Sequence, residues 1–156
     1  MSTFQDIDVR RIPEAGARRP VLVVDDDPLQ RGEIVEFLER QGIDVIAEEN
    51  GFAAFHQIKN SAPCVVVMDM KMPGLDGIHV SRLVQNLEQE PKPKVILMSG
   101  YPDYVYKAHQ EDANVFAVIE KPVPLRALLR FITEALAQAD RGNKSRAADA
   151  PTPYSS

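Results

Sequence analysis

Six polar residues stand behind apolar runs and could do chemistry. Asp25, Asp26 and Asp27 follow VLVV, Asp69 follows CVVVM, Ser99 follows VILM, and Lys121 comes shortly after VFAVI. A carboxylate can act as a covalent nucleophile, a hydroxyl can donate one hydrogen bond, and an ammonium can neutralise an oxyanion. Any single Asp or Ser in such a place reads equally well as a loop residue or a helix cap. The combination says more. Carboxylates gathered from two strand ends repel one another at low effective dielectric unless a cation lies between them. A site with few carboxylates and several waters suits a hard divalent ion, Mg²⁺ above all.

That chemistry requires elements that bring the six residues to one place. Five runs read as strands: 21–24, 43–47, 64–68, 95–98 and 115–119. Four are wholly apolar, which predicts a parallel sheet covered on both faces, whereas the polar interruption in IDVIA (43–47) predicts an edge strand. Helical period fills the gaps at about 28–41, 51–60 and 102–112. It is clearest in Val80, Leu83, Val84 and Leu87 and in Leu125, Leu128, Leu129, Ile132 and Leu136. Gly42 reads as a residue ending a helix, and Pro28 and Pro124 fall where a first turn tolerates proline. The expected fold is α/β: a (βα)₅ doubly wound parallel sheet with flavodoxin-like strand order 2-1-3-4-5. In that order strands 1 and 3 flank the switch point, where ligands bind at the strands' carboxyl ends. All six polar residues then share one rim.

Composition bounds the rest. The chain has 156 residues, enough for one domain and too few for two ordinary ones. The longest apolar runs, Cys64–Met68 and Val115–Ile119, are far short of a bilayer span, and the N-terminus lacks the basic and apolar regions of a secretory signal. A cytoplasmic protein is expected. A single cysteine, Cys64, excludes an internal disulfide and reads as core filler. The net charge of −5 argues against a nucleic-acid face on the folded part. Residues 1–19 read as a flexible arm, 20–139 as the folded domain and 140–156 as a disordered tail. Too few residues follow Ala139 for a helix-turn-helix module, so no direct DNA binding is expected and output must pass through a partner. His56, His79 and His109 have no carboxylate or cysteine at ligand spacing and are expected at the surface or its boundary.

VLVVDDDP, VVMDMKMPGLDG, VILMSG and IEKP, in that order and each built on a strand, resemble the motifs of response-regulator receiver domains over residues 20–138. The resemblance implies that Asp69 attacks a phosphohistidine and becomes an acyl phosphate. It implies Asp26, Asp69 and the backbone carbonyl of Lys71 as direct Mg²⁺ ligands, with Asp25 acting through water. Lys121 would pair with a phosphoryl oxygen, Ser99 would donate to another, and the Lys121–Pro122 peptide would be cis. Lys71 and Tyr101, two residues beyond Asp69 and Ser99, would tune dephosphorylation. Asp27 matches no required role. Phosphoryl transfer needs positioning and charge neutralisation more than covalent help, which suits these residue types.

The implied protein is a phosphoacceptor switch rather than an enzyme, of the stand-alone type. Its partners would be a sensor histidine kinase or histidine phosphotransfer protein and a downstream protein target. Output would run through the face of the fourth predicted helix, fifth strand and fifth helix. There the chain departs from the pattern: Val118 stands where the family often has an aromatic, while Tyr101, Tyr104 and Tyr106 crowd the start of the fourth helix. Two other readings compete. A haloacid-dehalogenase-like phosphatase would need a second acid where Lys71 stands, and a receiver-shaped module could act without phosphorylation.

Overall fold

The computed structural model describes residues 19–88, 90–101, 103 and 115–149. The expected arm, apart from Arg19, lies outside them, as do 150–156 and nearly all of the helix expected at 102–112 with Tyr104, Tyr106 and His109. Five strands, β1 (Val21–Val24), β2 (Val45–Glu48), β3 (Val65–Asp69), β4 (Lys94–Ser99) and β5 (Val115–Glu120), form one parallel sheet in the order β2-β1-β3-β4-β5. Four described helices, α1 (Pro28–Arg40), α2 (Gly51–Ser61), α3 (Gly77–Gln85) and α4 (Leu125–Asp149), cover it. The expected doubly wound fold is present. No helix among the described residues is long and apolar enough to cross a membrane.

Alternation along the strands divides the core in two. Val21, Val23, Val65, Val67, Ile96 and Met98 point to a cluster closed by Ile34 and Leu38 of α1 and Leu128, Leu129 and Ile132 of α4. Leu22, Val24, Val66, Met68, Val95 and Leu97 point to a second, closed by Ala54 and Ile58 of α2 and Val80 and Val84 of α3. Every residue of β1 and β3 is therefore buried, and this is why both read as unbroken apolar runs. IDVIA yields the edge strand β2, half-buried except at the exposed Ala47. VFAVI forms the other edge, with buried and half-buried residues alternating, so its apolar composition alone did not mark it as an edge. Cys64 lies buried in the first cluster, as expected of core filler.

Helix ends follow local chemistry. Pro28 opens α1, and Gly42, with φ 80°, takes the left-handed position just beyond its cap Gln41. Pro124 differs slightly from expectation, standing just before α4, where its carbonyl accepts from Leu128 N–H at 3.0 Å. The larger difference is at the other end of α4. Disorder was expected from Asp140, yet the helical backbone continues to Asp149. Arg, Lys and Ala in that stretch are good helix formers, and no proline occurs there before Pro151.

Candidate functional site

Parallel strands end on the same side, and here that rim carries the polar residues found in the sequence. Val24 pairs in register with Met68, which brings the residues following them, Asp25 and Asp69, to adjacent strand ends. Asp25, Asp26 and Asp69 each offer a carboxylate oxygen, and these oxygens lie within 4.8 Å of one another. Lys121 reaches the same point from beyond β5. Its Nζ donates to Asp69 Oδ2 at 2.7 Å, and its backbone N–H donates to the Ser99 carbonyl at 2.8 Å. The Lys121–Pro122 peptide is cis, as the resemblance implies.

The two strand-end carboxylates are buried and differ in how they are satisfied. Asp69 has both oxygens engaged, Oδ2 by Lys121 and Oδ1 by the Lys71 N–H at 3.2 Å. Asp25 is fully buried; its Oδ1 accepts from the Asp27 N–H at 2.9 Å, while Oδ2 has no partner. Burial pushes the Asp25 carboxyl above its ordinary range. The Asp27 N–H and the Lys121 ammonium act in the opposite sense, and Asp69 and Asp26 add to the rise. A buried carboxylate oxygen with nothing to accept from is costly. A hard cation among three such groups would satisfy it, so the donor set fits Mg²⁺.

The loops that set this geometry are built by residues with purely structural work. Asp27 caps α1, its side chain accepting from the Leu29 N–H at 3.0 Å, which accounts for a third aspartate beside the pair. Arg31 donates from Nη1 to the Asp25 carbonyl at 2.7 Å and so pins the turn between β1 and α1. Spacing gave no signal for Arg31, whereas the Asp-Pro pair at 27–28 is a readable helix start. In MPGLDG, Gly74 takes a φ of 81°, Asp76 caps α3 by accepting from the His79 N–H at 2.9 Å, and Gly77 lets the helix approach β3. A Cβ on Gly77 would sit 2.7 Å from the Asp69 carbonyl oxygen, so no other residue fits without a shift. Gly100 contrasts with it: a Cβ there would meet nothing within 4 Å, which leaves the space beside Ser99 open.

The remaining expected residues fall as follows. Ser99 is buried at the end of β4; its Oγ accepts from the Tyr101 N–H at 3.0 Å and lies 3.3 Å from the Tyr101 carbonyl, to which it donates. Lys71 is exposed on the loop between β3 and α3. Val118 pairs with Leu97 and is half-buried against the second core cluster. His79 departs from the reading that it lacks a carboxylate partner: its Nδ1 lies 2.7 Å from Asp76 Oδ1, because a cap residue and a residue three positions on meet at a helix start. His79 is exposed and Asp76 half-buried, and His56 shares a hydrogen bond with Asn60.

Known proteins with this pattern are numerous. The family model described as the response regulator receiver domain matches residues 21–133. The chemotaxis protein CheY of Bacillus subtilis is 32% identical over 117 residues, covering 74% of this chain and 96% of its own. A positive alginate biosynthesis regulatory protein of Pseudomonas aeruginosa is 33% identical over 139 residues, covering 87% of this chain and 53% of its own. The chain thus spans about half the length of that relative and of a Vibrio cholerae response regulatory protein, of which 51% is covered. The crystal structure of a response-regulator signal receiver domain from Bermanella marisrubri superposes with a TM-score of 0.69 at 30% identity, covering 76% of this chain and 98% of that one. With the rim, the strand order and the match over most of its length in agreement, the chain belongs to the response-regulator receiver domain family of two-component signalling.

Proposed function

We propose that this domain is a phosphorylation switch whose acceptor is Asp69. One observation carries the reading: the Lys121 ammonium, 2.7 Å from the buried Asp69, shares that aspartate with two further carboxylates whose oxygens lie within 4.8 Å. An Asp69 oxygen attacks phosphorus of a phosphohistidine on a sensor kinase or phosphotransfer protein. The new P–O bond forms as the P–N bond breaks, and the electron pair leaves with the imidazole nitrogen. Asp25, Asp26, Asp69 and the Lys71 carbonyl would hold Mg²⁺, which supplies charge neutralisation for the phosphoryl oxygens. Lys121 pairs with one such oxygen and Ser99 donates its hydroxyl to another.

The added negative charge biases a two-state equilibrium, read by a downstream protein at the face that includes β5 and α4. The product is a covalently modified protein rather than a released molecule, so the domain acts as a switch and not as an enzyme. A cytoplasmic setting suits its single cysteine, and residues 20–139 form the working unit. Incubation with acetyl phosphate and Mg²⁺ followed by intact-mass measurement tests the reading. Wild-type protein should gain one labile phosphoryl group and Asp69→Asn none. An equal yield from the variant, or no adduct on the wild type, overturns it.

A further inference from the structure

Two exposed side chains join loops that the sheet holds apart. Lys71 follows β3 and Tyr101 follows β4, and the Lys71 Nζ lies 5.3 Å from the centre of the Tyr101 ring. That is within the reach of a cation–π contact, roughly 6 Å. Each partner is tied to the site by its backbone. The Lys71 N–H donates to Asp69 Oδ1, and the Tyr101 N–H donates to Ser99 Oγ, whose own proton goes to the Tyr101 carbonyl. Lys121 completes a closed circuit by donating to both Asp69 and the Ser99 carbonyl.

A serine hydroxyl has one proton. While Ser99 gives it to the Tyr101 carbonyl, none is available for an oxygen bound to Asp69. Ser99 can therefore serve a phosphoryl group only after its donation to the Tyr101 carbonyl breaks, and breaking it loosens the backbone that carries the ring, which is then held to Ser99 by the Tyr101 N–H alone. We infer that the contact of Lys71 with Tyr101 is a latch that holds Ser99 turned away from Asp69 until a phosphoryl group arrives. The inference rests on the proposed role of Asp69. A phosphoryl group there attracts both the Lys71 ammonium and the Ser99 proton, so the modification pulls on both ends of the latch. With Val118 in the place of an aromatic, the ring whose backbone bonds to Ser99 among the described residues is that of Tyr101.

An exposed cation–π contact shifts a population by about two- to fivefold, enough to bias a loop and little enough for one modification to reverse. Amide hydrogen exchange on the full chain without metal or phosphodonor reads the latch directly, at the Tyr101 N–H that donates to Ser99. Lys71→Ala, which leaves Ser99 and Tyr101 in place, should speed that exchange about two- to fivefold. Lys71→Arg and Tyr101→Phe keep the cation and the ring and should exchange like the wild type. Wild-type exchange in Lys71→Ala overturns the latch, as does a Tyr101→Phe variant that exchanges as fast as Lys71→Ala. Calorimetry with beryllofluoride and Mg²⁺ on the wild type separates the two readings. If it binds while the exchange pattern fails, only the latch is lost. If nothing binds, the acceptor role of Asp69 falls and the latch has nothing to release it.

Discussion

Asp25 sits where burial and charge conflict, and the sign of that conflict is measurable. Its carboxyl is raised above the ordinary 3.8 chiefly by burial, so the folded state holds its proton more tightly than the unfolded state does. Above the folded value the ionised group weighs against folding; below the ordinary value both states are protonated and the penalty vanishes. Asp25→Asn should therefore raise metal-free stability at pH 7 and leave it unchanged near pH 3, as read from urea midpoints. A variant no more stable than wild type at pH 7 would remove burial as the dominant cause. Lys121 poses the complementary case, since a hydrogen bond between charged groups contributes roughly 1.5–3 kcal/mol. Lys121→Ala should still accept phosphate but bind beryllofluoride about ten- to a hundredfold more weakly, by calorimetry. Undiminished affinity would exclude Lys121 from the phosphoryl contacts.

Elements place these residues, and one of them carries a local cost that can be removed. The C-cap of α2, Ala62, has φ 44° and ψ 58°, a left-handed conformation that disfavours any residue with a Cβ. Ala62→Gly should stabilise the fold by about 1 kcal/mol, raising the midpoint of chemical unfolding without changing its slope. Lower stability would mean that the unfolded-state entropy of glycine outweighs the strain. Runs of β-branched residues made four of the strands legible, and Asp27-Pro28 made the start of α1 legible. The far end of α4 was not, because the small and polar residues after Ala139 carry no apolar period, and the helical backbone there continues from a packed first half.

At the scale of the molecule, two core layers clamp one sheet, and the sheet's carboxyl rim gathers like charges that the fold alone does not neutralise. Any ion that binds only the folded state shifts the equilibrium by mass action, so Mg²⁺ at a hundred times its dissociation constant should add about 2.7 kcal/mol. Thermal unfolding at increasing Mg²⁺ checks this, with Asp25→Asn expected to flatten the response. An Mg²⁺-independent midpoint in the wild type would sink the metal assignment.

The order of residue types along the chain was sufficient for the layered fold and for the acidic rim. Apolar runs of strand length must be buried on both faces, and parallel strands end on one side, so whatever polar residue follows them shares that side. Only the tertiary structure decided which oxygen of Asp25 lacks a partner, that Arg31 pins the turn beside it, and that Lys71 lies over Tyr101. Those contacts join separate segments across turns and loops, where neither helical nor strand period applies. Their distances are set by how helices and sheet pack, and a linear pattern carries no record of that.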